Sequence, residues 1–194
     1  MPTDPDEIEL RAQVDGLDRA VYRAVAAAPT PSLDREFSRL SRAANHSVLC
    51  MGVAAALACG GPRGRRAATD GLAAIAVTST VVNLVAKRLG GRRRPDRNDN
   101  DVPVARQVEM PESTSFPSGH SASAFAFASA VATGLPAAGG PIQALASLVA
   151  YSRVHTGVHY PGDVLAGSII GSIVGPLTTH ALRRWRPTRA PRIG

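Results

Sequence analysis

Three clusters in this chain have the residue types and the spacing to move a phosphoryl group. Lys87 is followed after six residues by Arg94-Pro95, Pro117-Ser118-Gly119-His120 forms the second cluster, and Ser152-Arg153 leads through five residues to His159 and three more to Asp163. Phosphoryl transfer spreads charge over three equatorial oxygens, so its catalysis rests on positioning and electrostatic stabilisation. Lys87, Arg94 and Arg153 offer three fixed cations, the arginines as planar forks and the lysine as a point charge. In-line displacement calls for a nucleophile on one side of phosphorus and an acid on the other. His159 and His120 can fill those places, and Asp163 lies close enough in sequence to accept a ring hydrogen bond from His159. Gly119 permits close approach of backbone to an anion at a helix N-terminus. Ser118 reads as a phosphate donor or as a simple N-cap, and the two roles can coexist. Taken singly, Lys87 and Arg94 read equally as side chains snorkelling from a helix end. His155 matches no catalytic place and reads as pocket wall or as structural.

The elements that must hold these clusters are unusually free of charge. Residues 43–62, 71–86, 113–152 and 164–182, nearly half of the 194, contain no Asp, Glu, Lys or Arg. A surface helix of a soluble bundle carries a charged face, so these stretches predict an all-α integral membrane bundle of about five spans, with small residues that let helices pack closely. The spans are expected near 46–60, 70–88, 118–135, 141–154 and 162–182. Alternating crossings then bring all three clusters to one face of the membrane. A soluble helical bundle is the competing reading.

The chain divides into N-terminal amphipathic helices (1–45), a membrane domain (46–182) and a basic tail (183–194). Leu10, Val14, Leu17, Val21 and Val25 share one face of the first helix, and Leu33, Phe37 and Leu40 one face of a second, for which Ser32 is a candidate cap. These helices are expected to lie on the membrane or to cover the bundle. The first 30 residues lack the basic start and apolar run of a cleavable signal peptide. Net charge is +7, but no aromatic residue interleaves the run Arg92-Arg93-Arg94, which argues against nucleic acid. Cys50 and Cys59 are too far apart on one helix to pair. Asp96-x-Asn98-x-Asn100 resembles the opening of a calcium loop, but Asp101 and Gln107 stand where glycine and glutamate are needed. No metal or cofactor is expected. Eight arginines against Asp70 fall in the 63–70 turn and the tail. The basic-inside tendency therefore predicts a cytoplasmic C-terminus and an active site facing the extracytoplasmic side of a bacterial plasma membrane.

In order and spacing, the three clusters are similar to the tripartite signature of the type 2 phosphatidic acid phosphatase superfamily, across 87–163. That superfamily holds membrane lipid phosphatases, soluble acid phosphatases and vanadium haloperoxidases. The resemblance implies that Lys87, Arg94 and Arg153 bind phosphate oxygens, that Ser118 and Gly119 add hydrogen bonds, and that His159 attacks phosphorus with Asp163 in support. His120 then protonates the leaving group. It implies a metal-independent lipid phosphatase working through phosphohistidine, with membrane lipids as surroundings. The lipid is left open among undecaprenyl diphosphate, phosphatidylglycerol phosphate, phosphatidic acid and decaprenylphosphoryl-5-phosphoribose. A soluble haloperoxidase or acid phosphatase, and a non-catalytic membrane scaffold, are the rival readings.

Overall fold

The computed structural model describes residues 4–86, 88 and 91–185. Lys87 and residues 186–194 of the expected basic tail therefore lie outside the described residues. Every regular element described is helical: α1 Pro5–Ala27, α2 Pro31–Ala43, α3 Val48–Cys59, α4 Gly61–Val81, α5 Gly119–Gly134, α6 Pro136–His155 and α7 Pro161–Trp185.

Prolines set several of these starts, because the first helical turn needs no N–H and suits the fixed φ of proline. Asp4 caps α1 ahead of Pro5 by accepting from Asp6 N. Thr30, not Ser32, takes the N-cap place of α2, ahead of Pro31. For the same reason α6 begins at Pro136, five residues before its expected start, and Pro141 lies inside it. The chain turns sharply at Gly60-Gly61, where Gly61 has φ of +89°. α4 begins there, so Arg63, Arg65 and Arg66 form its first turns rather than a loop ahead of it. Before the first cluster α4 widens into a π-helical turn, Val82–Ala86.

The centre of the bundle is the pair α5 and α7. Gly167, Gly171 and Gly175 recur every four residues on α7, and a Cβ on any of them would sit 2.2–2.4 Å from a carbonyl oxygen of Ser118, Ala122 or Ala126 on α5. Only glycine lets the two backbones meet so closely. The opposite face of α7 carries Leu165, Ile169, Ile173 and Leu177, all more than half exposed and without a charge among them. α4 packs on α5 through Ala67, Ala68, Phe127 and Val131, with Ala54 of α3 in the same core.

The five expected bundle helices are all present, but they are unequal. Gly61–Leu84 and Pro161–Trp185 are long and apolar enough to cross a membrane by length and composition. α3 has 12 residues, about 18 Å against a hydrocarbon layer of about 30 Å.

The two N-terminal helices split the expected behaviours between them. Phe37 and Leu40 of α2 face inward, Phe37 against Tyr151 and His155. On α1, Leu10, Val14, Leu17 and Val21 point away from the protein, and Asp18, Tyr22 and Ala26 form the buried face. Arg106, itself buried, fastens both helices. Its guanidinium donates to Val25 O, Ala26 O and Ala28 O at the end of α1, to Thr30 Oγ1, and to Asp34 of α2.

Candidate active site

The third cluster is built by the turn from α6 into α7. α6 closes with Thr156 N donating to Ser152 O and Gly157 N to Val154 O. Gly157 takes φ of +71° with Tyr22 Oη, Arg97 and Val102 around it, a conformation and a space that exclude a side chain. His159 follows, and Pro161 opens α7. Asp163, in the first turn of that helix, reaches back to accept from Tyr160 N at 2.9 Å, the reciprocal half of a capping box.

His159 is 2% exposed and its two ring nitrogens face different partners. Nδ1 is directed at Asp163 Oδ2 at 3.7 Å and at Ser115 Oγ at 3.4 Å. The direct imidazole-to-carboxylate hydrogen bond expected from the sequence is therefore longer than a hydrogen bond. Ser115 Oγ stands beside both groups and donates to Asp163 Oδ2 at 2.5 Å. Nε2 lies 3.1 Å from Arg94 Nη1 and faces a cavity of about 340 Å³. Burial pushes the pKa of His159 down to about 4, and Arg94 and Arg153 push the same way against Asp163. The ring is thus held neutral, as a nucleophile requires.

Arg94, Gly119, His120 and His159 all line that cavity. Arg94 is fixed by carbonyls, with Nε on Ser113 O at 2.9 Å and Nη1 on Val158 O at 2.8 Å. Burial lowers its pKa from the ordinary arginine value. His120 Nε2 donates to Asn45 Oδ1 at 2.9 Å. Ser118 is fully buried and caps α5, its Oγ receiving Ser121 N and Ser121 Oγ, while its own N–H donates to Asp163 O at 2.9 Å. This is the N-cap reading of Ser118, and it ties the starts of α5 and α7 together. Arg153 is also fully buried and does not line the cavity. Its Nη1 donates to Ser41 Oγ at 2.6 Å and Ser41 O at 3.1 Å on α2. The cavity also has an apolar wall of Leu49, Cys50, Val82, Ala124 and Val149. Leu49, Cys50, Ala124 and Val149 continue into a narrow apolar crevice between α3, α5 and α6.

Four further residues belong to this neighbourhood. Arg92 places Nη1 on Asp163 Oδ1 at 3.1 Å, so the arginine run splits between an outward Arg93 and two inward neighbours. Ser115, Ser41 and Asn45 each touch a site residue across a long stretch of sequence. Their residue types are ordinary, and only the fold brings them in. Conversely, His155 is structural. Its Nε2 lies 3.1 Å from Asp34 Oδ1, which Arg106 also holds at 2.8 Å. Burial alone would raise the Asp34 pKa, but Thr30, Arg106 and His155 hold it below the usual carboxylate value. In the 96–101 loop, Asp96 Oδ1 accepts from Asn98 N and Asp99 N, closing the loop on itself.

The family described as the PAP2 superfamily matches residues 67–187. The decaprenylphosphoryl-5-phosphoribose phosphatase of Mycobacterium tuberculosis is 38% identical over 104 residues, 53% of this chain and 54% of that protein. The chain thus spans about half the length of that relative. The protein of the same name from Mycolicibacterium smegmatis is 37% identical over 130 residues, 66% of this chain and 67% of that protein. Among solved structures, Aquifex aeolicus LpxE superposes with a TM-score of 0.69 at 26% identity, covering 84% of this chain and 95% of its own. A transmembrane PAP2 type phosphatidylglycerolphosphate phosphatase from Bacillus subtilis shares the fold, with a TM-score of 0.69 at 23% identity and coverage of 91% and 90%.

Proposed function

The chain belongs to the PAP2 superfamily, and from that premise we propose that it is a membrane-embedded lipid phosphatase that works through a phosphohistidine on His159. The observation that carries the reading is the division of labour on one imidazole. Nδ1 is turned to Asp163 and Ser115, and Nε2 is turned to Arg94 and the cavity. His120 lines the same cavity from α5.

In the first step His159 Nε2 forms a bond to phosphorus as the bond from phosphorus to the lipid oxygen breaks, and His120 gives its proton to that oxygen. In the second, His120 takes a proton from water, whose oxygen attacks phosphorus and breaks the bond to Nε2. Inorganic phosphate leaves and both histidines return to their starting states. Arg94 neutralises the equatorial oxygens from the cavity wall, Arg153 adds positive charge from behind it, and the family resemblance assigns Lys87 the same task, while Gly119 allows the α5 N-terminus to approach the phosphate.

Two features support a lipid substrate in a bilayer. The apolar wall of the cavity leads into the crevice between α3, α5 and α6. The uncharged outer face of α7 is an apolar surface suited to hydrocarbon. The names of the relatives favour a phosphate monoester carried by a polyprenyl-linked phosphosugar, and the arginines at the start of α4 and the end of α7 favour an active site on the extracytoplasmic side of the plasma membrane. Phosphate release from purified lipid phosphates, in detergent and excess chelator, tests this. Decaprenylphosphoryl-5-phosphoribose should turn over fastest, and no release from any lipid phosphate would overturn the reading.

A further inference from the structure

The first 45 residues lie outside the family match at 67–187, yet they touch three groups of the site. Asn45 holds His120, Ser41 holds Arg153, and Asp18 of α1 holds Arg92, which in turn holds the carboxylate behind His159. The last of these contacts is the most fully built. Asp163 is completely buried, and its Oδ2 accepts from Tyr160 N and Ser115 Oγ while facing His159. Its Oδ1 accepts from Arg92 Nη1. That same Nη1 donates to Asp18 Oδ2 at 2.5 Å, and Nη2 donates to Asp15 Oδ1 at 2.7 Å. The guanidinium also lies 4.1 Å over the Tyr160 ring. Asp18 Oδ1 accepts from Gly162 N at 2.6 Å, the backbone between His159 and Asp163. A Cβ on Gly162 would come within 3.1 Å of the Asp18 carboxylate and crowd it.

We propose that Asp18 and Arg92 form a positioning pair for Asp163, which makes α1 a working part of the catalytic site. The inference rests on the phosphatase reading of His159. A carboxylate is free to rotate about its Cβ–Cγ bond, and Arg92 on Oδ1 keeps Oδ2 aimed at Nδ1. When Nε2 bonds to phosphorus, positive charge develops on the ring, and the aimed Oδ2 stabilises it. Arg92 alone is a long, half-buried side chain with several available rotamers. Asp18 and Asp15 remove that freedom, and Asp18 fixes the backbone at Gly162 at the same time. A planar fork is needed, because one guanidinium spans three carboxylates.

The test compares Asp18→Asn, Asp18→Glu and Arg92→Lys with the full-length wild type, using the same lipid phosphate in detergent. Removing the partner that orients a metal-ligating residue lowers activity about 10–100-fold, and a loss of the same order is expected for a carboxylate that orients a nucleophile. kcat should fall by that factor in Asp18→Asn, with KM within about twofold, and Asp18→Glu should recover part of the loss. Wild-type kcat in Asp18→Asn overturns the proposal, as does a rise in KM alone. If Asp18→Asn fails to fold, Arg92→Lys decides, since it keeps the charge and loses the fork: reduced kcat supports the pair and unchanged kcat refutes it. His159→Ala serves as the control. Its turnover at the wild-type rate would remove the phosphatase mechanism itself, whereas an inactive His159→Ala beside a fully active Asp18→Asn would remove only the positioning pair.

Discussion

His159 must be unprotonated on the nitrogen that attacks and supported on the nitrogen that does not. Burial supplies the first condition by holding its pKa near about 4, far from the ordinary 6.5. The sign follows directly: the neutral ring is present above that value and is lost as pH falls through it. In protein carrying labelled histidine in detergent micelles, the ring resonances that vanish in His159→Gln should titrate near pH 4. Titration near 6.5 would contradict the buried, cation-flanked site. His120, Gly119, Arg94 and His159, which line the cavity, were legible as site residues from their types, their spacing and the family signature that these resemble. Ser115 and Arg92 were not, for a physical reason. A serine within an uncharged stretch and an arginine within a basic run carry no local mark of a carboxylate that the fold brings in from 48 and 71 residues away.

At the scale of elements, the glycine row of α7 decides how closely the two halves of the site approach. α5 begins with Ser118 and His120, α7 begins around Asp163, and Ser118 N donates to Asp163 O. A methyl group at Gly171 would stand 2.2 Å from Ala122 O and 2.8 Å from Ala126 N. Gly171→Ala should therefore separate the helices, costing about 1–3 kcal/mol as overpacking does, and should lower turnover with it. Gly52, with nothing within 4 Å of a built Cβ, is the control, and Gly52→Ala should be neutral or stabilising. Thermal unfolding in detergent compares the two, and equal unfolding temperatures for both variants would contradict the packing argument. The five apolar helices were readable because charge is missing over most of the length of each. Their starts were less so: the basic cluster at 63–66 looks like a turn, yet Pro62 and the buried Ala67 and Ala68 carry it into α4. Leu10, Val14, Leu17 and Val21 of the expected α1 stripe do share an outward face, whereas Val25 packs against the Tyr22 cluster, and sequence alone left open which way the stripe would turn. The carboxylate of Asp18, drawn inward by Arg92, turns it outward.

For the molecule as a whole, a second group of arginines stands at the end of the bundle opposite the chemistry. Arg183 donates to Thr133 O and lies beside Gly134 and Ala67, at the ends of α5 and α7 remote from His120 and Asp163. Arg63, Arg65 and Arg66 share that end through the start of α4. Basic residues flanking spans stay cytoplasmic, so the site should face outward. With Cys50 and Cys59 replaced by alanine, an impermeant thiol reagent applied to intact cells should label Glu112→Cys and spare Arg184→Cys. The reverse pattern would place the site inside. A phosphohistidine on His159 can be trapped within a single turnover. Wild-type enzyme in excess chelator is mixed with lipid phosphate labelled in the transferable phosphoryl group, quenched in alkali within one turnover, and digested. Base-stable, acid-labile label is expected on the peptide containing His159, and none in His159→Ala. Turnover without labelled enzyme, or label carried by any other residue, would contradict a phosphohistidine on His159.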